Sequence, residues 1–217
     1  MKRESLREAV IRLIEEALLN GDLQPGDRIV ETGLAERAGI SRGPVREAIR
    51  QLVGEGILVS YPSRGTFVMR WTPRAVEEAY TLRAVLERFA IQEAVQRATH
   101  EEIAQLQATV DEMDRSARLN DVKALVRLDV RFHEQLYALS GHSLLQKTLS
   151  QLRRRLTCVM AMDQGFADHR DGIAPDHQAI VDALKAGDAA AAGEIIADHV
   201  LTTGDEVVEQ VRNWPQE

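Results

Sequence analysis

The chain is short of aromatic residues, which fill 4% of its 217 positions, and it holds one cysteine. So little aromatic mass argues against a β-core. It leaves Leu, Ile, Val and Ala to build the interior, which favours packed helices. A lone cysteine, Cys158, excludes an intrachain disulfide framework and fits a reducing compartment. It sits in the apolar run Leu156-Thr157-Cys158-Val159-Met160 and reads as buried filler. No stretch approaches the ~20 apolar residues needed to span a bilayer. The mixed-charge start Met1-Lys2-Arg3-Glu4-Ser5 does not read as a secretory leader. A cytoplasmic protein without membrane contact is expected.

Net positive charge is also missing, since the chain carries −7. The deficit is uneven. Residues 1–68 hold 10 basic and 10 acidic side chains, whereas residues 69–217 hold 17 and 24. Two domains of different electrostatic character are implied, and only the first can approach a phosphate backbone without strong repulsion.

Periodicity agrees with that division. Leu6, Val10, Leu13, Ile14, Ala17 and Leu18 recur at helical spacing and stop at Asn20-Gly21. Two short helices follow, Glu31 to Ala38 closed by Gly39, and a second from Ser41 with Pro44 in its first turn. Ile57-Leu58-Val59 and Thr66-Phe67-Val68 read as strands around the turn Tyr61-Pro62-Ser63-Arg64-Gly65. The pattern is a winged helix-turn-helix over residues 1–68. A linker over 69–73 leads to residues 74–212, read as six antiparallel helices near 74–98, 101–118, 121–139, 143–162, 174–186 and 188–212. The fold expected is mainly α, a small winged domain followed by a six-helix bundle.

The second short helix carries the first candidate site. Val45, Ala48, Ile49 and Leu52 form one face, while Arg42, Arg46 and Arg50 lie at i, i+4 and i+8 on another. An isolated row of this kind is usually a solvated face. On the second helix of a helix-turn-helix it suits the major groove, where arginine can grip guanine with both prongs. Arg64 and Gly65 at the wing tip suit a minor-groove or backbone contact. Residues 21–68 resemble the DNA-binding domain of the GntR family. Pro25-Gly26, Leu34-Ala35, Ser41-Arg42, Pro44-Val45-Arg46-Glu47-Ala48, Glu55-Gly56 and Arg64-Gly65-Thr66-Phe67-Val68 carry the likeness. The resemblance implies that Arg42, Arg46 and Gly65 touch DNA and that Ser41 meets a phosphate.

The second half carries another constellation. Asp129 and His133 are one helical turn apart, and His177 and His199 fall on later helices. Three imidazoles and a carboxylate suit a divalent transition metal, zinc first and nickel or manganese after it. His100, His142 and His169 fall in caps or loops and are set aside. Residues 73–212 resemble the FCD sensor domain of the FadR subfamily, in its VanR-like branch. The likeness rests on Leu82-Arg83 with Leu86-Glu87, Asp129 with His133, His177 with Ile180, Ala183-Leu184, Gly187-Asp188, and His199. It implies that Asp129, His133, His177 and His199 are metal ligands. Arg83 is a candidate clamp for a carboxylate effector, or else an i, i+4 partner of Glu87. The function expected is a homodimeric regulator of a palindromic operator, a repressor released by a small organic acid. The alternative is a metal-dependent hydrolase with a DNA-binding-like accessory domain. A metal held only for structure stands open beside both.

Overall fold

The computed structural model describes residues 5–160 and 169–214; the side chain of Cys158 lies outside the described residues. The described residues form two compact units, 5–71 with 157–160, and 72–156 with 169–214.

In the first unit, helix α1 (Leu6–Leu19) starts in a capping box between Ser5 and Glu8 and buries Val10, Ile11, Ile14 and Leu18. It packs on α3 (Arg42–Gly54), as does α2 (Glu31–Ala38). Gly39 closes α2 in the left-handed conformation. Ser41 holds the N-cap position of α3 without a side-chain capping bond. The wing is β2 (Leu58–Tyr61) and β3 (Gly65–Val68), antiparallel from Leu58 opposite Val68 to Tyr61 opposite Gly65. Gly65 has φ +109°, a backbone state that disfavours any side chain. A third strand, β1 (Arg28–Ile29), pairs with β3 and completes a sheet of order β1-β3-β2. No sequence signal marks β1, because two residues carry no period and pair only once β3 is in place.

The second unit contains six helices among the described residues: α4 (Pro73–Arg97), α5 (His100–Arg118), α6 (Val122–Leu139), α7 (Ser143–Met160), α8 (Arg170–Ala186) and α9 (Ala189–Arg212). Thr72 caps α4 with Pro73 behind it, Thr99 and Glu102 form the capping box of α5, and Asp188 caps α9. α4 packs along α9, α5 lies against α6 and α8, and α6 against α4. Gly204 makes the α4–α9 approach possible. A Cβ there would come within 2.7 Å of Tyr80 Cβ. One boundary departs from expectation. Ala174-Pro175 reads as the start of a helix, but α8 already begins at Arg170 with Pro175 inside it. Proline deprives only the Asp171 carbonyl of its partner, and Asp171 is exposed to water.

Candidate functional site

On the first unit, Val45, Ala48, Ile49 and Leu52 are buried, which fixes the rotation of α3. Arg42, Arg46 and Arg50 therefore stand exposed on its outer side. Glu31, the first residue of α2, accepts on one oxygen from Arg42 Nη2 at 3.0 Å and Arg46 Nε at 2.9 Å. Those bonds, the one from Arg46 foremost, hold the Glu31 carboxyl below its ordinary range. On the wing, the Arg64 guanidinium lies 6.0 Å from the Tyr61 ring centroid. Arg28 lies close to Gly65, so that a Cβ there would come within 3.1 Å of its Nε. Sequence reasoning missed Glu31 and Arg28, since neither belongs to the row on α3.

The second unit brings Asp129, His133, His177 and His199 together, with one ligand atom from each within 4.8 Å of every other. Asp129, His133 and His177 are buried and His199 is half-buried. The bundle supplies them from three helices: Asp129 and His133 one turn apart on α6, His177 on α8 and His199 on α9. Both buried imidazoles have one nitrogen tied off. His133 Nδ1 lies 2.7 Å from Glu87 Oε2, and His177 Nδ1 lies 2.7 Å from the Ile173 carbonyl. Each Nδ1 is therefore the protonated nitrogen, donating outward, and each Nε2 offers a lone pair inward. Neither Nε2 has a hydrogen-bond partner. They lie 3.7 Å and 3.1 Å from Asp129 Oδ1. Burial pushes both His133 and His199 toward the neutral form, His199 down to about 3. Asp129 is also buried, which alone would favour its proton. The Arg153 guanidinium on its other oxygen, together with the neighbouring imidazoles of His177 and His133, outweighs that and holds it well below the ordinary carboxylate range.

Behind this cluster stands a second charged layer. Glu87 is fully buried and accepts from Arg83 Nε at 2.5 Å and Tyr137 Oη at 2.6 Å, besides the imidazole of His133. Arg83 takes the i, i+4 pairing with Glu87. It is buried in its ion pair with Glu87 and is not among the described residues lining the neighbouring cavity. That cavity, about 320 Å³, lies against α8 and α9 and reaches Asp129, His177 and His199. Sequence reasoning does not single out Arg153, and it weighs Glu87 only as the partner of Arg83.

A winged helix-turn-helix with a basic outer face, followed by a helical bundle with a buried polar centre, defines a DNA-binding transcription regulator. The family model described as bacterial regulatory proteins, gntR family, matches residues 2–68, and that of the FCD domain matches residues 78–202. The chain belongs to the GntR family of transcriptional regulators and carries an FCD domain. The regulator McbR of Escherichia coli K12 is 30% identical over 72% of this chain and 71% of its own. Its solved structure aligns with a TM-score of 0.86 over 97% of this chain and all of that one, at 26% identity. The uncharacterized HTH-type regulator YdhC of Bacillus subtilis is 29% identical over 86% of this chain and 84% of its own. A probable D-xylose utilization operon repressor of Paenarthrobacter nicotinovorans is 27% identical over 92% and 88%. These relatives are transcriptional regulators and not enzymes, so the hydrolase alternative falls. Among the described residues, no helix is long and apolar enough to cross a membrane.

Proposed function

We propose that the chain is a cytoplasmic, homodimeric repressor whose FCD domain holds a divalent metal, zinc first, and releases DNA when a small organic acid binds. The observation that carries the metal reading is the pair of buried imidazoles with outward-donating Nδ1 atoms and unpartnered Nε2 atoms. A buried polar atom without a partner is costly, and a shared cation removes that cost for both rings. Asp129, His133, His177 and His199 would hold it, and Glu87 fixes the tautomer of His133. When bound, the metal supplies a Lewis-acid position for a carboxylate. The chain's own contribution is to hold neutral imidazoles in place and to offer the cavity between α8 and α9. For the effector to act, it must favour one conformation of the dimer over another.

The test is elemental analysis of the purified protein with a zinc titration. One metal ion per chain is expected, bound far more weakly by His177→Ala. Loss should exceed the roughly 100-fold that outer partners of a metal site carry. Equal zinc affinity in His177→Ala sinks the reading.

On the DNA side, Ser41, Arg42, Arg46, Arg50, Arg64 and Gly65 form the proposed contact set, and a palindromic operator follows from two-fold symmetry. Leu82, Val85 and Phe89 lie exposed at i, i+3 and i+7 on α4, an apolar stripe that supports pairing with a second copy. Glu31 acts on Arg42 and Arg46. Exposed ion pairs are worth only ~0–1 kcal/mol, so DNA can displace this one. Its effect is orientation, which lowers the cost of ordering two flexible side chains on the operator. Glu31→Gln is expected to raise affinity for random DNA several-fold and to narrow the ratio of operator to random binding by about 3- to 10-fold. Competition titrations at fixed salt measure that ratio, and an unchanged value removes the orienting role.

A further inference from the structure

The cavity beside the histidine cluster has a charge of its own. Asp176, Asp198 and Glu206 line it together with Asp129, and none of the described lining residues is lysine or arginine. On α9, Asp198, Thr202 and Glu206 follow at i, i+4 and i+8, a single row beside His199. Asp176 meets His169 at 2.9 Å. Acidic side chains at a surface are common and mean little alone. Here the same cavity is lined by His177, which is buried and whose Nε2 lacks a hydrogen-bond partner. A polar atom left so is a sign, apart from the acids, that something binds in this space, and the reading above gives it a metal ion.

We infer that the effector is a small aminocarboxylate, with its carboxylate toward the histidine cluster and its protonated amine against Asp198 and Glu206. This rests on the metal-dependent reading above. A carboxylate can be received at a cation held by the cluster, but the remaining wall repels a plain anion. An ammonium group turns that repulsion into charge-assisted hydrogen bonds. Thr202 adds a hydroxyl acceptor between the two acids. A simple organic acid, with no cationic group, leaves these carboxylates facing like charge.

Isothermal titration calorimetry on the full chain, zinc-loaded, decides the matter with matched pairs. β-Alanine is compared with 3-hydroxypropionate, and γ-aminobutyrate with 4-hydroxybutyrate. γ-Aminobutyrate could close only a seven-membered ring on a metal ion, so a preference in that pair reports on the wall; β-alanine can close a six-membered one, and its pair is read beside the first. The better amino member is expected to bind more than about tenfold tighter than its hydroxy partner. In Asp198→Asn/Glu206→Gln that preference collapses to within about twofold while zinc stoichiometry is kept. Equal or tighter binding of the hydroxy acids to wild type overturns the inference. So does a preference untouched by the double substitution, or no binding of either series. A chain that takes up no zinc sinks the metal reading, and the inference that rests on it falls with it.

Discussion

Arg46→Ala is expected to weaken operator binding by about 1–3 kcal/mol, the range of one good base contact, and to relax discrimination at one position of each half-site. The reasoning starts in the buried face of α3. Val45, Ala48, Ile49 and Leu52 anchor the helix, so its outer row cannot turn away from a groove. Arg46 is in the middle of that row, between Arg42 and Arg50, and is more than half exposed. Its truncation leaves the core untouched, and stability should stay within about 0.5 kcal/mol of wild type. Arg42→Ala/Arg46→Ala together should reduce operator binding to the level of random DNA. Arg118→Ala provides the control, since that side chain pairs with Asp114 at the end of α5. Fluorescence anisotropy over a salt series separates the outcomes. Removing a phosphate interaction alone lowers the slope by about one while leaving sequence preference intact. Arg46→Ala with unchanged operator affinity and an unchanged salt slope would remove α3 from the interface.

How much of this is legible in the sequence differs by element. The row on α3 and the pair Asp129/His133 are readable because both lie on single helices, where spacing dictates direction. The convergence of His177 and His199 on that pair comes from resemblance, since three helices must pack before α6, α8 and α9 meet. Arg153 stays hidden for a different reason. No motif or spacing marks it within Arg153-Arg154-Arg155, and only the packing of α7 buries it against Asp129. Arg83 shows the limit of local reasoning. Its spacing to Glu87 allows an ion pair and its type allows an effector clamp. The pair is fixed by burial of Glu87 beside His133 and Tyr137, a tertiary fact. β1 is invisible because its two residues owe their extended form to β3. Pro175 misleads as a helix start, since a proline in the second turn costs little where the carbonyl it abandons meets water.

Glu87→Ala should be the most destabilising single change in the bundle, by about 3–5 kcal/mol, because it leaves the Arg83 guanidinium buried without its counter-charge. The same carboxylate accepts from Tyr137 and His133, so two further buried donors lose their acceptor. Burial, with the Glu87 charge added, pushes the Tyr137 phenol above its ordinary range, so it stays a donor at neutral pH and cannot relieve the loss by ionising. Glu87→Gln keeps the volume and one acceptor, and should fall between wild type and alanine. Replacing both partners, Arg83→Met/Glu87→Leu, should recover most of the stability, since a buried ion pair is seldom better than well-packed apolar groups. It should not recover metal binding. Without Glu87, nothing holds the His133 proton on Nδ1, and zinc affinity should drop about 10- to 100-fold. Urea unfolding of zinc-free protein measures the first effect and zinc titration the second. A destabilisation below about 1 kcal/mol in Glu87→Ala would mean that water reaches Arg83. Restored zinc affinity in the double variant would mean that His133 needs no partner at Nδ1. The buried pair would therefore act on the proposed metal site through one imidazole tautomer, and stability and affinity should separate as soon as both charges are removed.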